Sequence, residues 1–334
     1  MFSVVQPKTI RGCEMKSIYL WLCLVLMIGL SLISGVQPLE WDISGHLTQL
    51  SWNVLWYSRV PRTISILLAG SSMSVAGLLM QAISQNRFAA PSTVGTVESA
   101  KLGLLLSLWL FPKVSMQQKF VSSFIIAVLF TGLFFFILAK MKVKQTWTIP
   151  LLGMIYGQII GAVASAIAYR FDLVQSMSSW QQGNFSLIQV GSYEWLWLTL
   201  ILIGVIWLLR RPLTIMQLGE ATSLNLGIAY HPMKYLIIAG VCLICAVNVM
   251  TVGTLPFIGV IIPNAVRIMH SDSMQQSLPL VMVSGSLFVL ICDILSRTLI
   301  APYELPVSLL IAFIGGSIFL VLLFKWKGCS VYET

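Results

Sequence analysis

Two pairs of opposite charge stand inside otherwise apolar runs of the chain. Glu98 and Lys101 are three residues apart, and Asp293 and Arg297 are four apart, so each pair shares one helical face. An internal ion pair lowers the cost of burying charge, which is about 2.5–3.5 kcal/mol per residue at the centre of a membrane helix. These four residues therefore read as structural pairs rather than as a proton relay. Arg59 and Arg62 bracket Pro61 at the opening of another run, where a guanidinium fork can grip a carboxylate with two parallel hydrogen bonds. Other chemistry is missing. No G-x-x-x-x-G-K-[ST] cradles nucleotide phosphates, and no Ser-His-Asp, paired-carboxylate or zinc-ligand arrangement occurs. Cys242 and Cys245 form a C-x-x-C inside an apolar run, where thiols pack as small hydrophobes. His46, His231 and His270 lack metal-ligand spacing, so neither a metal site nor a catalytic residue is expected.

The elements that must position these charges are helices in a bilayer. Of 334 residues, 57% are hydrophobic and 9% charged, with a mean hydropathy of +0.90. A soluble chain is typically about 25% charged. Apolar runs fall at 18–36, 60–82, 94–111, 120–139, 148–169, 193–209, 235–254, 278–299 and 305–324. Each is long enough to read as a transmembrane helix. The run "TLPFIGVIIPNAVRI", read as a helix over 256–269, reaches only about 21 Å, so it is expected to be short and broken. Counting it gives an all-α polytopic protein of ten spans in one permease domain. No soluble catalytic domain fits in what remains.

Basic residues orient the spans. With the N-terminus inside, Lys8, Arg11, Lys16, Arg87, Lys140, Lys142, Lys144, Arg210, Arg211, Lys234, Arg267, Lys325 and Lys327 all lie on the cytoplasmic side. Both termini are then cytoplasmic. The net charge of +9 is explained by these loops facing anionic lipid, and nucleic acid is not an expected partner. Against this pattern, Arg59, Arg62 and Arg297 fall at the outer ends of the second and ninth spans.

Gly153, Gly157 and Gly161 recur every four residues in the fifth span, and small residues at that spacing let helices approach closely. They fit packing within the chain, a dimer seam or a pathway wall, and Gly315 and Gly316 pose the same choice. The connector "LGEATSLNLGIAYHP", 218–232, is long enough for two short helices divided near Asn225–Gly227. That is more structure than a linker needs, and it suggests a docking surface.

Four segments together resemble one family. They are "RVPRTISILLAGSSMSVAGLLMQAISQNRFAAPSTVGT", "LGEATSLNLGI", "GTLPFIGVIIPNAVRI" and "CDILSRTLIAPYELPVSLLIAFIGGSIF". They are similar to the FecCD-type permeases of ABC importers for iron-siderophores, haem and cobalamin. The resemblance implies ten helices, with helices two to five and seven to ten related by an inverted repeat. It implies a second permease subunit (identical or a paralogue), two ATPase subunits inside and a substrate-binding lipoprotein outside. ATP and Mg belong to the ATPase, and this chain binds no cofactor.

By the same resemblance Arg59, Arg62 and Arg297 pair with acidic residues of the binding protein. Leu218, Gly219, Glu220, Ala221, Asn225, Leu226 and Gly227 belong to the coupling segment at 218–230, which seats in the ATPase. Asn86, Arg87 and Phe88 form the cytoplasmic gate. Family members commonly carry Asn-Pro where this chain has Asn86-Arg87, which adds a charge near the exit. The variant "NRFAAPSTVGTVESAKLG" looks most like catecholate or petrobactin-type permeases of Gram-positive bacteria. The expected function is import of a ferric siderophore across the cytoplasmic membrane. The alternatives are haem or cobalamin as cargo, or an ion-coupled carrier.

Overall fold

A computed structural model describes residues 7–35, 48–111, 113–141, 148–188, 190–269 and 273–330. The side chains of 7–17, 50, 269 and 323–330 are not described. Lys142, Lys144, His46 and His270, and the side chains of Lys8, Arg11, Lys16, Lys325 and Lys327, thus lie outside the described residues. The helices in chain order are α1 (Pro7–Ile33), α2 (Gln49–Val54), α3 (Val60–Ser84), α4 (Thr96–Leu110), α5 (Met116–Met141), α6 (Thr148–Arg170) and α7 (Val174–Gln181). They continue as α8 (Trp197–Leu208), α9 (Arg210–Met216), α10 (Glu220–Asn225), α11 (Tyr230–Thr251), α12 (Ile258–Met269), α13 (Met274–Thr298) and α14 (Val307–Ser330). No strand occurs among the described residues.

A helix lies over each of the ten expected runs. Among the described residues, five are long and apolar enough to cross a membrane alone, and Tyr193–Leu208 with Arg210–Met216 adds a sixth, bent by 71°. α3 is the axis, buried along nearly its whole length, with α8, α11, α12 and α13 around it. α4, α5 and α6 pack as a flanking group. Close crossings need glycine. A Cβ on Gly70 would meet the Gly285 carbonyl oxygen at 2.7 Å, and one on Gly77 would collide with the Gly259 backbone. These pairs set the distance of α13 and α12 from the axis.

Local chemistry explains where helix ends differ from expectation. The helix over the second run extends back beyond 60 to Gln49, because α2 runs into α3 through a π turn at Leu55–Arg59. Pro61 sits just beyond it, and its ring would strike the carbonyl four residues back in a regular helix. The wider π register relieves that clash. α12 is short, as expected, spanning 12 residues or about 18 Å. Its Pro263 has no amide hydrogen for the Gly259 carbonyl, which Gln81 Nε2 approaches at 3.5 Å instead.

Candidate functional site

Two polar assemblies occupy opposite ends of α3. At its N-terminal end Arg62 lies between two carboxylates. Its Nε and Nη2 donate to Asp293 Oδ1 at 3.1 and 2.8 Å, and its Nη1 donates to both Glu304 oxygens at 3.0 and 2.9 Å. The other Asp293 oxygen accepts from Arg297 Nη2, one turn along α13. Asp293 is wholly buried, and the two guanidiniums offset its desolvation.

The same cluster stitches down the end of α1. The last carbonyls of a helix have no partner within it and attract cations. Arg59 Nη1 donates to Leu32 O at 2.8 Å and Ile33 O at 2.6 Å. Arg297 Nη1 donates to Ser34 O at 2.9 Å, and its Nη2 to Ser31 Oγ at 2.9 Å. An open cleft of about 380 Å³ remains, lined by Ser58, Arg59, Arg62, Ser186, Arg297 and Glu304 among others.

The opposite end is held by neutral groups. α3 stops at Gln85, whose backbone turns left-handed at φ 52°. Its side-chain Nε2 donates to Ala82 O and to Met216 O, both at 2.9 Å. Asn86 Oδ1 then accepts from the Phe88 amide at 2.7 Å, closing a tight turn. The Arg87 carbonyl accepts from Asn264 Nδ2 of α12 at 2.8 Å. Phe88 meets Phe319 of α14 edge-on, with ring centres 5.9 Å apart. A cleft of about 410 Å³ opens here between Gln81, Asn86, Arg87, Gln217 and Leu218.

Beside this cleft α10 is presented outward. Leu218, Glu220, Ala221, Asn225, Leu226 and Gly227 are exposed. Ser223 is buried, and its hydroxyl donates to Gly219 O at 2.6 Å. Gly219, at φ +100°, makes the turn from α9 to α10, and Gly227, at φ +78°, makes the turn out of it. Leu218, Leu224 and Leu226 are the large apolar side chains exposed here.

The model of the FecCD transport family matches residues 18–325. The chain belongs to the FecCD transport family. The petrobactin import system permease protein YclN of Bacillus subtilis is 41% identical over 94% of this chain and 99% of that protein. The petrobactin import system permease protein FatD of Bacillus anthracis is 36% identical over 93% and 91%. The ferric-anguibactin transport system permease protein FatD of Vibrio anguillarum is 34% identical over 88% and 94%. A chain from a structure titled as an inward-facing conformation of a metal-chelate type ABC transporter is 25% identical. It covers 92% of this chain and 98% of its own length, with a TM-score of 0.78. The fold is that of ABC transporter permeases, which places the chain with them rather than with ion-coupled carriers.

Within this FecCD permease, the structure shows where each of the residues singled out in the sequence lies. The sequence put Arg59, Arg62 and Arg297 at the outer ends of two spans, with Arg297 also one turn from Asp293. The structure gathers all three there but buries them, at 5%, 8% and 5% exposure, with their donors turned to internal carboxylates and helix-end carbonyls. The glycines of α6 make close contacts within the chain. Gly153 lies against the Thr93 carbonyl, Gly157 against Gly95, and Gly161 against the Glu98 carboxylate. Gly315 packs on Ile261 and Phe257, while Gly316 has open space beside it. The break in the 218–230 connector falls at Gln217–Gly219 as well as near Gly227. The first short helix is therefore α9, and the segment after Gly227 enters α11 directly.

Glu98 and Lys101 of the permease do pair, Oε1 to Nζ at 2.6 Å, with Lys101 buried. Cys242 and Cys245 are fully buried in α11. Three functional candidates carried no sequence signal. Glu304 lies 242 residues from its partner Arg62, and Gln85 lies 131 from Met216. Asn264 lies 177 from Arg87. The "YELP", "SQNR" and "IIPNAV" contexts contain these residues but say nothing of such distant partners.

Proposed function

We propose that this chain is the permease subunit of an ABC importer that carries a ferric siderophore of the petrobactin class across the cytoplasmic membrane. The observation that carries the cargo is 41% identity to a petrobactin import permease over 94% of the chain. In this reading both termini and α10 face the cytoplasm, and the arginine-lined cleft faces outward. A substrate-binding lipoprotein docks at the cleft, with Arg59, Arg62 and Arg297 supplying the positive field for its acidic side chains. Leu218–Gly227 seats on an ATPase subunit, which holds ATP and Mg. A second permease subunit completes the pathway, and Asn86, Arg87 and Phe88 narrow its inner end.

The decisive experiment reconstitutes the complex and offers binding protein loaded with ferric petrobactin, haem or cobalamin in parallel. Ferric petrobactin is expected to stimulate ATP hydrolysis and to enter the vesicles. Stimulation by haem or cobalamin instead would reassign the cargo. Docking needs its own variant, because reversing Arg62 would break the internal ion cluster as well. Ser58 is exposed on the rim of the cleft. Ser58→Glu is expected to weaken binding-protein affinity about tenfold by like-charge repulsion, whereas Ser58→Gln leaves it unchanged. Equal affinity of the two variants would refute docking at this cleft.

A further inference from the structure

The function proposed above leaves open how a movement of α9 and α10 reaches the inner gate, and the inference that follows rests on that reading. Gln85 stands between them. It is the residue that ends α3, and it starts the loop carrying Asn86, Arg87 and Phe88. The left-handed turn at Gln85 brings its side chain back over the end of α3, where Nε2 is shared between Ala82 O of its own helix and Met216 O at the last residue of α9. The α9 end is itself fixed to α10, since Ser223 Oγ reaches Ile215 O at 3.1 Å and Gly219 O at 2.6 Å. From the far side the loop is held by Asn264, whose Nδ2 bonds both Arg87 O and Val260 O at 2.8 Å.

We propose that Gln85 is the positioning residue that couples α9–α10 to the gate loop. A shift of α10 carries Met216 O with it, and the Gln85 amide follows. Asn86 and Phe88 move as a unit because the Asn86 Oδ1 bond closes their turn. Phe88 then turns away from Phe319, while Asn264 anchors the loop to α12. The physical requirement is a donor at position 85 that bridges two backbone carbonyls. Gln85 is exposed, so water competes for these bonds, and the link is weak enough to break and re-form in each transport cycle.

A matched pair of variants tests the donor requirement. Gln85→Glu removes the donor and sets a carboxylate against two carbonyl oxygens. Gln85→Lys keeps a flexible donor of similar reach. Both are assembled into the full complex with ATPase and binding protein, and ferric petrobactin transported per ATP hydrolysed is measured. Gln85→Glu is expected to lower that ratio about fivefold, with melting temperature and subunit stoichiometry unchanged, and Gln85→Lys to retain it. An unchanged ratio in Gln85→Glu overturns the proposal, as does an equal loss in both variants. Should Gln85→Glu fail to assemble, Gln85→Leu carries the same comparison. The underlying reading has a separate test, since Leu224 is exposed on α10. A cysteine placed there in the wild-type background is expected to cross-link to the ATPase. Its failure to do so would refute the coupling surface itself.

Discussion

The two ends of α3 are built from different materials. At the N-terminal end, Arg62, Asp293, Arg297 and Glu304 are joined by charge-assisted bonds, with Asp293 wholly enclosed. At the C-terminal end, Gln85, Asn86 and Asn264 make neutral amide bonds to backbone groups. Hydrogen bonds to charged groups contribute about 1.5–3 kcal/mol each, and neutral ones about 0.5–1.5 kcal/mol. One end of the axis is thus locked and the other is lightly tied.

The largest expected effect is at Asp293. Asp293→Ala leaves the Arg62 and Arg297 guanidiniums facing each other without the carboxylate between them. It should destabilise the purified protein by about 3–5 kcal/mol, read from thermal unfolding in detergent. A loss under about 1 kcal/mol would show that the locked end is not held by charge. Glu304→Gln should cost less, about 1–2 kcal/mol, because its side chain is 21% exposed and Arg62 keeps Asp293. A cost equal to that of Asp293→Ala would make Glu304, rather than the enclosed aspartate, the centre of the lock. The smallest effect is expected at the lightly tied end. Asn264→Leu removes the bond to Arg87 O, and water can replace it because Arg87 is exposed. Global stability should change by about 1 kcal/mol or less, while hydrogen exchange at 86–88 accelerates. Protection unchanged at 86–88 would break the contrast between the two ends.

How much of this was legible beforehand varied with the range of the interaction. The Glu98–Lys101 and Asp293–Arg297 pairs were readable from spacing alone, since residues one helical turn apart meet whatever surrounds them. The brevity of α12 was readable from Pro256 and Pro263. The direction of the arginine forks was not. Nothing in "RVPR" reveals that its guanidiniums turn inward, because their acceptors come from α1, α13 and the 299–306 loop. The α6 glycines are similar: the four-residue spacing announced a close approach, but Thr93, Gly95 and Glu98 were identified as the other surface only once the chain had folded.

By itself the sequence determined an all-helical membrane protein, the places of its spans, its local ion pairs and its family, because hydropathy and helical spacing act over a turn or a few turns. Only the tertiary structure decided that the three arginines are buried in an internal lattice, and that Gln85 and Asn264 hold the 86–88 loop from two sides. The contacts Gln85–Met216, Asn264–Arg87 and Arg62–Glu304 join residues 131, 177 and 242 positions apart. Whether such groups meet depends on how close the packed helices come, which Gly70, Gly77, Gly259 and Gly285 set by letting backbones touch.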